Sequence, residues 1–182
     1  MNIKQLLLLP VVLILGACST THTPTTDQVS NYEFNGLKTY ALIGDKNLRN
    51  PLVSDIDRER IDNAINNALT AQGINAVDQE TADITVSYYI VTKDKVRSYS
   101  HYGATRSACY SCGPRTTVIQ TNTRSYVEGT LVLDVFDNKA EKSVWRSSLT
   151  KTLKKANSPE ERDQAINEVV SAMLAELPLV QV

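Results

Sequence analysis

The sequence predicts an α+β fold: a two-layer sandwich in which a mostly antiparallel sheet of about four strands carries two helices on one face. Two segments show apolar residues at helical spacing, and the segments between them alternate apolar with polar residues. The elements follow the order β-α-β-β-β-α. Two helices with one apolar stripe each need a common surface to cover, so both are expected on the same face of the sheet.

The first strand is predicted at residues 38–43 and the first helix at about residues 55–72. The strand segment is rich in β-prone residues and ends at a Gly-Asp turn. Ser54 followed by Asp57 approximates a capping box, and Gly73 is a typical C-terminal stop. The apolar stripe of this helix consists of Ile56, Ile61, Ala64, Ile65, Ala68 and Leu69.

Three further strands are predicted in the middle of the chain. Alternation over residues 84–90 indicates a half-buried strand. A second alternation over residues 127–135 leads through a turn at 137–139 into residues 144–149, which together indicate an antiparallel hairpin. Trp145 is expected to pack in the core or against the sheet.

The second helix begins at Ser158, where a capping serine, Pro159 and a reciprocal Glu161 form a strong start signal. Pro178 ends it. Its apolar stripe consists of Ala165, Ile166, Val169, Val170, Met173, Leu174 and Leu177.

The composition is that of one ordinary globular domain, with 42% hydrophobic and 21% charged residues. Disorder and a polytopic membrane protein are therefore disfavoured. The formal net charge of -1 provides no overall excess of cations that would attract nucleic acid.

The N-terminal residues predict an export signal. Residues 6–15 contain no polar side chain and follow a start that includes Lys4. The apolar run is far shorter than the roughly 20 residues needed to cross a membrane. Residues 15–18, Leu-Gly-Ala-Cys, resemble the bacterial lipobox, which implies cleavage after residue 17 and a diacylglyceryl group on Cys18. Ser19 follows, and by the custom of that class this implies the periplasmic face of the outer membrane.

The domain organisation follows from this reading: a lipoprotein signal peptide at residues 1–17, a lipidated N-terminus and flexible tether at 18–28, and a single domain at 29–182. The tether is a polar, threonine-rich stretch with nothing apolar to bury. An alternative is an ordinary secretory signal in which Cys18 is an incidental thiol.

The folded part resembles a known family. The pattern consists of Tyr32, Phe34, Lys38, Thr39 and Tyr40, the 82–86 strand, Gly73, the 129–137 strand and Val144–Arg146. It is similar to the bacterial lipoproteins of domain-of-unknown-function family 4136, across nearly the whole mature chain. The resemblance implies an envelope lipoprotein and transfers no catalytic residues. The chain departs from the pattern in a long insertion at about residues 93–124.

That insertion is predicted to form a basic, tyrosine-rich hairpin, since it holds six cationic side chains and one acid, Asp94. Such a surface suits anionic lipid head groups, lipopolysaccharide or an acidic envelope protein. Nucleic acid is disfavoured by the compartment. The alternative is a solvated hairpin whose charges protect its edges. The candidate binding residues are Lys95, Arg97, Tyr99, Tyr102, Arg106 and Arg115.

The insertion also holds Cys109 and Cys112, which an oxidising compartment favours as a disulfide that closes the loop tip. Free thiols, redox activity and metal binding are alternatives. Gly113 and Pro114 follow in place of the helix start that a redox cysteine needs, and His101 would be only a third zinc ligand.

Catalysis finds little support. The chain has two histidines, and no Gly-x-Ser-x-Gly elbow or phosphate-binding glycine loop appears. The sequence therefore favours a non-enzymatic binding or envelope-support module without a cofactor or metal. A thiol oxidoreductase or hydrolase acting at Cys109 and Cys112 is the alternative, and association through an exposed sheet edge is a third reading.

Overall fold

The computed structural model describes residues 23–44, 50–104, 117–154 and 156–179. Within these ranges the chain forms six strands and two helices. In chain order they are β1 (Thr25–Gln28), β2 (Thr39–Ile43), α1 (Asp55–Ala71), β3 (Asn75–Ala76), β4 (Ile84–Ala104), β5 (Thr117–Asp137), β6 (Lys142–Thr152) and α2 (Pro159–Leu174).

The predicted α+β class with two helices is confirmed, but the sheet is larger and more mixed than expected. Its six strands lie in the order β1-β6-β5-β4-β2-β3. β4, β5 and β6 pair antiparallel, whereas β2 runs parallel to both β3 and β4. The prediction of about four mostly antiparallel strands is corrected here. α1 connects β2 to its neighbour β3 at the edge of the sheet, and a strand that follows such a helical crossover runs parallel to the strand before it.

The predicted tether also needs correction at its C-terminal end. Residues 25–28 form β1, which pairs antiparallel with β6 from Thr25 opposite Ser148 to Gln28 opposite Trp145. All four side chains are exposed, so no apolar pattern marks the strand in the sequence. Its backbone completes the hydrogen bonds that the outer edge of β6 would otherwise leave open.

Both helices begin where the sequence predicts. The Ser54 hydroxyl accepts a hydrogen bond from the Asp57 backbone N–H at 3.1 Å, and Ser158 caps α2 in the same way through Glu161 at 3.2 Å. Gly73, just after α1, has φ +86, a conformation that glycine adopts without strain. One member of the predicted apolar stripe of α1 does not face the core: Ile56 is 61% exposed.

The core lies between the two helices and one face of the sheet. Ile84, Val86 and Tyr88 of β4 point to this face, together with Leu133 and Val135 of β5, and all are buried. The buried helix residues join the same cluster: Ile61, Ala64, Ile65, Leu69, Val170, Met173 and Leu174. Both helices therefore cover one face, and we call the opposite side the open face.

Trp145 lies in this core with 1% of its surface exposed, as predicted. The pairing of β5 with β6 shifts between Val135 and Phe136, whose partners are Trp145 and Ser143, so Val144 is an extra residue in β6. Such a bulge bends the strand and turns side chains out of simple alternation. As a result, Val144 and Trp145 are both buried although they are neighbours.

An ion-pair cluster joins the N-terminal ends of α1 and α2. The Asp57 carboxylate accepts hydrogen bonds from Arg162 at 2.7 and 2.9 Å, from Arg60 at 3.3 Å and from the Ser54 hydroxyl at 3.0 Å. Arg60 also contacts Asp163. The Arg162 guanidinium holds the pKa of Asp57 below its usual range, with help from Ser54 and Arg60. We call Asp57, Arg60, Arg162 and Asp163 the helix clamp.

Candidate functional site

The predicted basic hairpin is a direct continuation of the two central strands. β4 and β5 stay paired over their whole length, from Ile84 opposite Asp137 to Ala104 opposite Thr117. β6 accompanies β5 only as far as Glu128 opposite Thr152, and β2 accompanies β4 only as far as Ser87. Beyond these points a two-stranded ribbon continues alone for about 35 Å. We call residues 93–104 and 117–128 the arm.

The alternation of the strands divides the side chains of the arm between two faces. Lys93, Lys95, Arg97 and Tyr99 share one face with their partners Glu128, Tyr126, Arg124 and Asn122. We call this the basic face, and by alternation it continues the open face of the sheet. The other face holds Val96, Tyr102 and Ile119, which are 64%, 78% and 60% exposed.

The basic face is organised by contacts within the arm. The Arg97 guanidinium lies over the Tyr126 ring, 5.4 Å from its centroid, and its Nη1 donates to the Tyr99 hydroxyl at 3.3 Å. This hydrogen bond and the two phenols raise the pKa of Arg97 further above its already high value. Lys95 approaches Glu128 at 3.7 Å. Tyrosine rings and one carboxylate thus contact the charged ends of Arg97 and Lys95 on an exposed surface.

Two arginines face each other across the ribbon. Arg97 of β4 is the direct partner of Arg124 of β5, and both are exposed. Like charges placed opposite one another on neighbouring strands destabilise the pairing. Four cations share this face with one acid, Glu128, so the repulsion is not neutralised within the described part of the arm. A bound anion would remove this cost.

The structure places the predicted binding residues in different ways. It brings Lys95, Arg97 and Tyr99 onto one face, and it puts Tyr102 on the opposite face of the ribbon. Tyr102 is therefore not part of the basic face, which corrects its grouping with the cations. The other predicted residues lie outside the described part of the chain: Cys18, Arg106, Cys109, Cys112 and Arg115.

Five residues of the basic face were not among the predicted binding residues: Lys93, Asn122, Arg124, Tyr126 and Glu128. Lys93, Lys95, Arg97 and Tyr99 follow a strict alternation, so a strand period applied beyond residue 90 would have indicated a shared face. Arg124 and Tyr126 required the hairpin register, which the sequence did not supply because residues 105–116 separate the two halves of the arm.

The open face below the arm holds two further polar contacts. Arg146 binds Asp134 with both ends of its guanidinium, including an Nη2 to Oδ2 bond of 2.9 Å. Asp137 ends β5 and accepts the Tyr32 hydroxyl at 2.7 Å and the Lys139 and Ala140 backbone N–H groups at 2.8 Å. These donors, Tyr32 first, lower the pKa of Asp137. Asp137 thus stabilises the turn after β5, whereas Asp134 forms a cross-strand ion pair.

The described residues contain no group of three or more His, Cys, Asp or Glu side chains placed to hold a metal ion. No helix in the described ranges is long and apolar enough to cross a membrane. The chemistry available on the arm is electrostatic attraction and contact through tyrosine, which suits binding.

The fold is a small α+β domain with two helices on one side of a mixed six-stranded sheet. The chain belongs to the family described as Domain of unknown function (DUF4136), whose model matches residues 24–179. No curated protein matches the chain.

Solved structures with the same fold are distant in sequence. A PDZ domain protein from Parabacteroides distasonis ATCC 8503 has a TM-score of 0.53 at 14% identity. The match covers 88% of this chain and 36% of that one, so the chain spans about a third of its length. The PelC dodecamer from Paraburkholderia phytofirmans has a TM-score of 0.50 at 10% identity, covering 88% of this chain and all of that one. At these identities the likeness shows the fold alone.

Proposed function

We propose that the chain is an outer-membrane-anchored lipoprotein of the periplasm that works as a binding module. Its arm holds an anionic group of an envelope partner on the basic face. The lipobox-like Leu-Gly-Ala-Cys at residues 15–18 supports the anchor and the compartment. The arm supplies the binding surface, because it extends past the last strands that accompany it and presents both faces to solvent.

The observation that carries this proposal is the Arg97–Arg124 pair on the basic face. A ribbon that stands alone has little to stabilise it in water, so a like-charge pair at its centre lowers a stability that a bound anion would restore. Phosphate and carboxylate groups match the planar guanidinium and accept two hydrogen bonds from it. Tyr99 and Tyr126 add amphipathic contact area beside the cations.

The similar PelC structure is a dodecamer, so a domain of this shape is able to present contact surfaces to other proteins. The partner chemistry we assign is an exposed phosphate or carboxylate, as found on anionic lipid, lipopolysaccharide or an acidic envelope protein.

Vesicle sedimentation tests the arm. The mature chain with Cys18→Ser, which carries no lipid, is mixed with vesicles of phosphatidylcholine alone, with added phosphatidylglycerol, or with added lipopolysaccharide. Each cation near an anionic surface contributes about 1 kcal/mol. Arg97→Glu with Arg124→Glu should therefore lower retention on the anionic vesicles at least roughly tenfold. Comparison of the two anionic vesicles separates lipid from lipopolysaccharide as the preferred source of phosphate.

The matched control is Lys38→Glu with Lys142→Glu, which changes the net charge equally at exposed positions at the end of the sheet opposite the arm. It should retain most of the binding. Equal retention of wild type and the arm variant would contradict the proposal and leave the arm as a solvated hairpin.

The anchor and the cysteine state have their own test in the non-reduced intact mass of the detergent-extracted protein. An acylated Cys18 with two hydrogens missing would support the lipoprotein and a Cys109–Cys112 disulfide. An unacylated chain with free thiols would contradict both the lipid anchor and the disulfide. It would favour the alternative hypothesis of a redox function for these cysteines.

A further inference from the structure

A broad groove lies on the open face, at the end of the sheet opposite the arm. Its volume is about 940 Å³, and it lies between the open-face residues of β2, β4 and β5, the loop after β3 and the β5–β6 turn. Thr85, Ser87 and Phe136 contribute from the strands. Both helices pack on the other side of the sheet, so no described helix covers this groove.

The groove is acidic with a partly apolar floor. Its carboxylates are Asp78, Glu80, Asp137 and Glu141, and no Lys or Arg is among the described residues that line it. The nearby Lys139 approaches Asp83 at 3.7 Å instead. Ile43 and Phe136 are each 37% exposed in the groove. This combination fits a partner with cations and an amphipathic aromatic surface.

The basic face of the arm has that chemistry. It offers Lys93, Lys95, Arg97 and Arg124 beside Tyr99 and Tyr126. The two surfaces carry opposite charge and both contain exposed apolar or aromatic area, so they are complementary in the two respects that guide protein recognition.

The arm cannot reach the groove of its own molecule. Thr85 and Arg97 belong to the same strand, β4, twelve residues apart. An extended strand separates them by about 40 Å, and pairing with β5 keeps the strand extended over this whole length. The arm can therefore meet an acidic groove of this kind only on another molecule.

We infer that the groove of one copy of this chain binds the basic face of the arm of a second copy. This inference rests on the proposed function of the arm and names its protein partner. Each copy carries one arm and one groove, so a reciprocal exchange between two copies occupies all four surfaces. The contact also shields the Arg97–Arg124 pair and covers Phe136.

A charge-swap experiment tests this contact in the mature Cys18→Ser chain by sedimentation velocity at rising concentration. The arm variant is Arg97→Glu with Arg124→Glu, and the groove variant is Asp78→Lys with Glu80→Lys, at exposed positions. Wild type should associate in a concentration-dependent and salt-sensitive way. Each variant alone should associate at least tenfold more weakly.

The equimolar mixture of the two variants is the decisive sample. It pairs an acidic arm with a basic groove and a basic arm with an acidic groove, so association should return in the mixture only. A wild type that stays monomeric at the highest concentration overturns the inference. Single variants that associate as strongly as wild type would also overturn it. A mixture in which association does not return would do the same.

The groove variant separates this inference from the proposed function. Its arm is unchanged, so its retention on anionic vesicles should equal or exceed that of wild type while self-association is lost. A protein that binds anionic vesicles through the arm but never self-associates would sink the inference and leave the proposed function standing. A wild-type protein that self-associates but does not bind anionic vesicles through the arm would contradict the proposed function and leave the contact between copies standing.

Discussion

Removal of the Asp57 carboxylate should be among the most damaging changes available at a polar position of this domain. Asp57 is 7% exposed and accepts hydrogen bonds from Ser54, Arg60 and, with both oxygens, Arg162. A hydrogen bond to a charged group contributes about 1.5–3 kcal/mol, and breaking a fully buried pair costs about 3–5 kcal/mol. The Arg162 side chain is 37% exposed, however, so water screens the pair and hydrates the guanidinium left behind.

We therefore expect Asp57→Ala to lower the free energy of unfolding by about 2–3 kcal/mol, and Tm by about 6–9 °C for a domain of this size. Urea unfolding followed by circular dichroism measures the first and calorimetry the second. The control is Asp163→Ala, which removes the outer carboxylate of the helix clamp. That side chain is 49% exposed, so its loss should cost less than about 1 kcal/mol.

A double-mutant cycle isolates the interhelical contact. Asp57→Ala and Arg162→Ala should show a coupling energy of about 1–2 kcal/mol, since the two side chains share two hydrogen bonds. If Asp57→Ala costs no more than Asp163→Ala, or if the coupling is near zero, the clamp does not join the two helices as described.

Four further outcomes follow from the structure. The pKa of Asp57 is lower in the folded protein than in the unfolded chain. Its contribution to the free energy of unfolding is therefore complete above the unfolded pKa of about 4 and is lost as the pH falls through the folded pKa. The unfolding curves of wild type and Asp57→Ala should accordingly converge as the pH falls below about 4. Deleting residues 18–28 removes β1 and should lower the free energy of unfolding in urea by about 1–2 kcal/mol. Trp145→Ala should cost about 3–5 kcal/mol by the same assay, and Trp145→Phe much less, because the indole N–H has no hydrogen-bond partner in the described chain. Tyr32→Phe should cost about 1 kcal/mol, since Asp137 keeps two backbone donors.

The elements that the sequence predicts well are those with strong local signals. Both helices have a capping serine and an apolar stripe, and the structure begins them at Asp55 and Pro159. The alternation from Ile84 to Ile90 and from Val127 to Val135 recurs in the core-facing register of β4 and β5. In each case a side chain contacts neighbours close in sequence or alternates between core and solvent, so residues near one another in the sequence are enough to predict the element.

The strands that the sequence does not predict are stabilised by their neighbours in the sheet. β1 is polar and wholly exposed, and β3 has two residues. Each adds to an edge that another part of the chain provides, so their own residues carry no apolar signal. Ile56 shows the opposite error, because its spacing fits the stripe while its position near the helix start leaves it 61% exposed.

The sequence by itself determined the α+β class, the two helices with their caps and the presence of a basic, tyrosine-rich segment between the central strands. Only the tertiary structure decided that residues 93–104 and 117–128 extend the pairing of β4 and β5, with Arg97 opposite Arg124 and Tyr102 on the other face. It also brought Asp78, Glu80, Asp137 and Glu141 together in one groove. The physical reason is that composition and periodicity depend on neighbours along the chain, whereas register and clefts depend on which distant strands share hydrogen bonds.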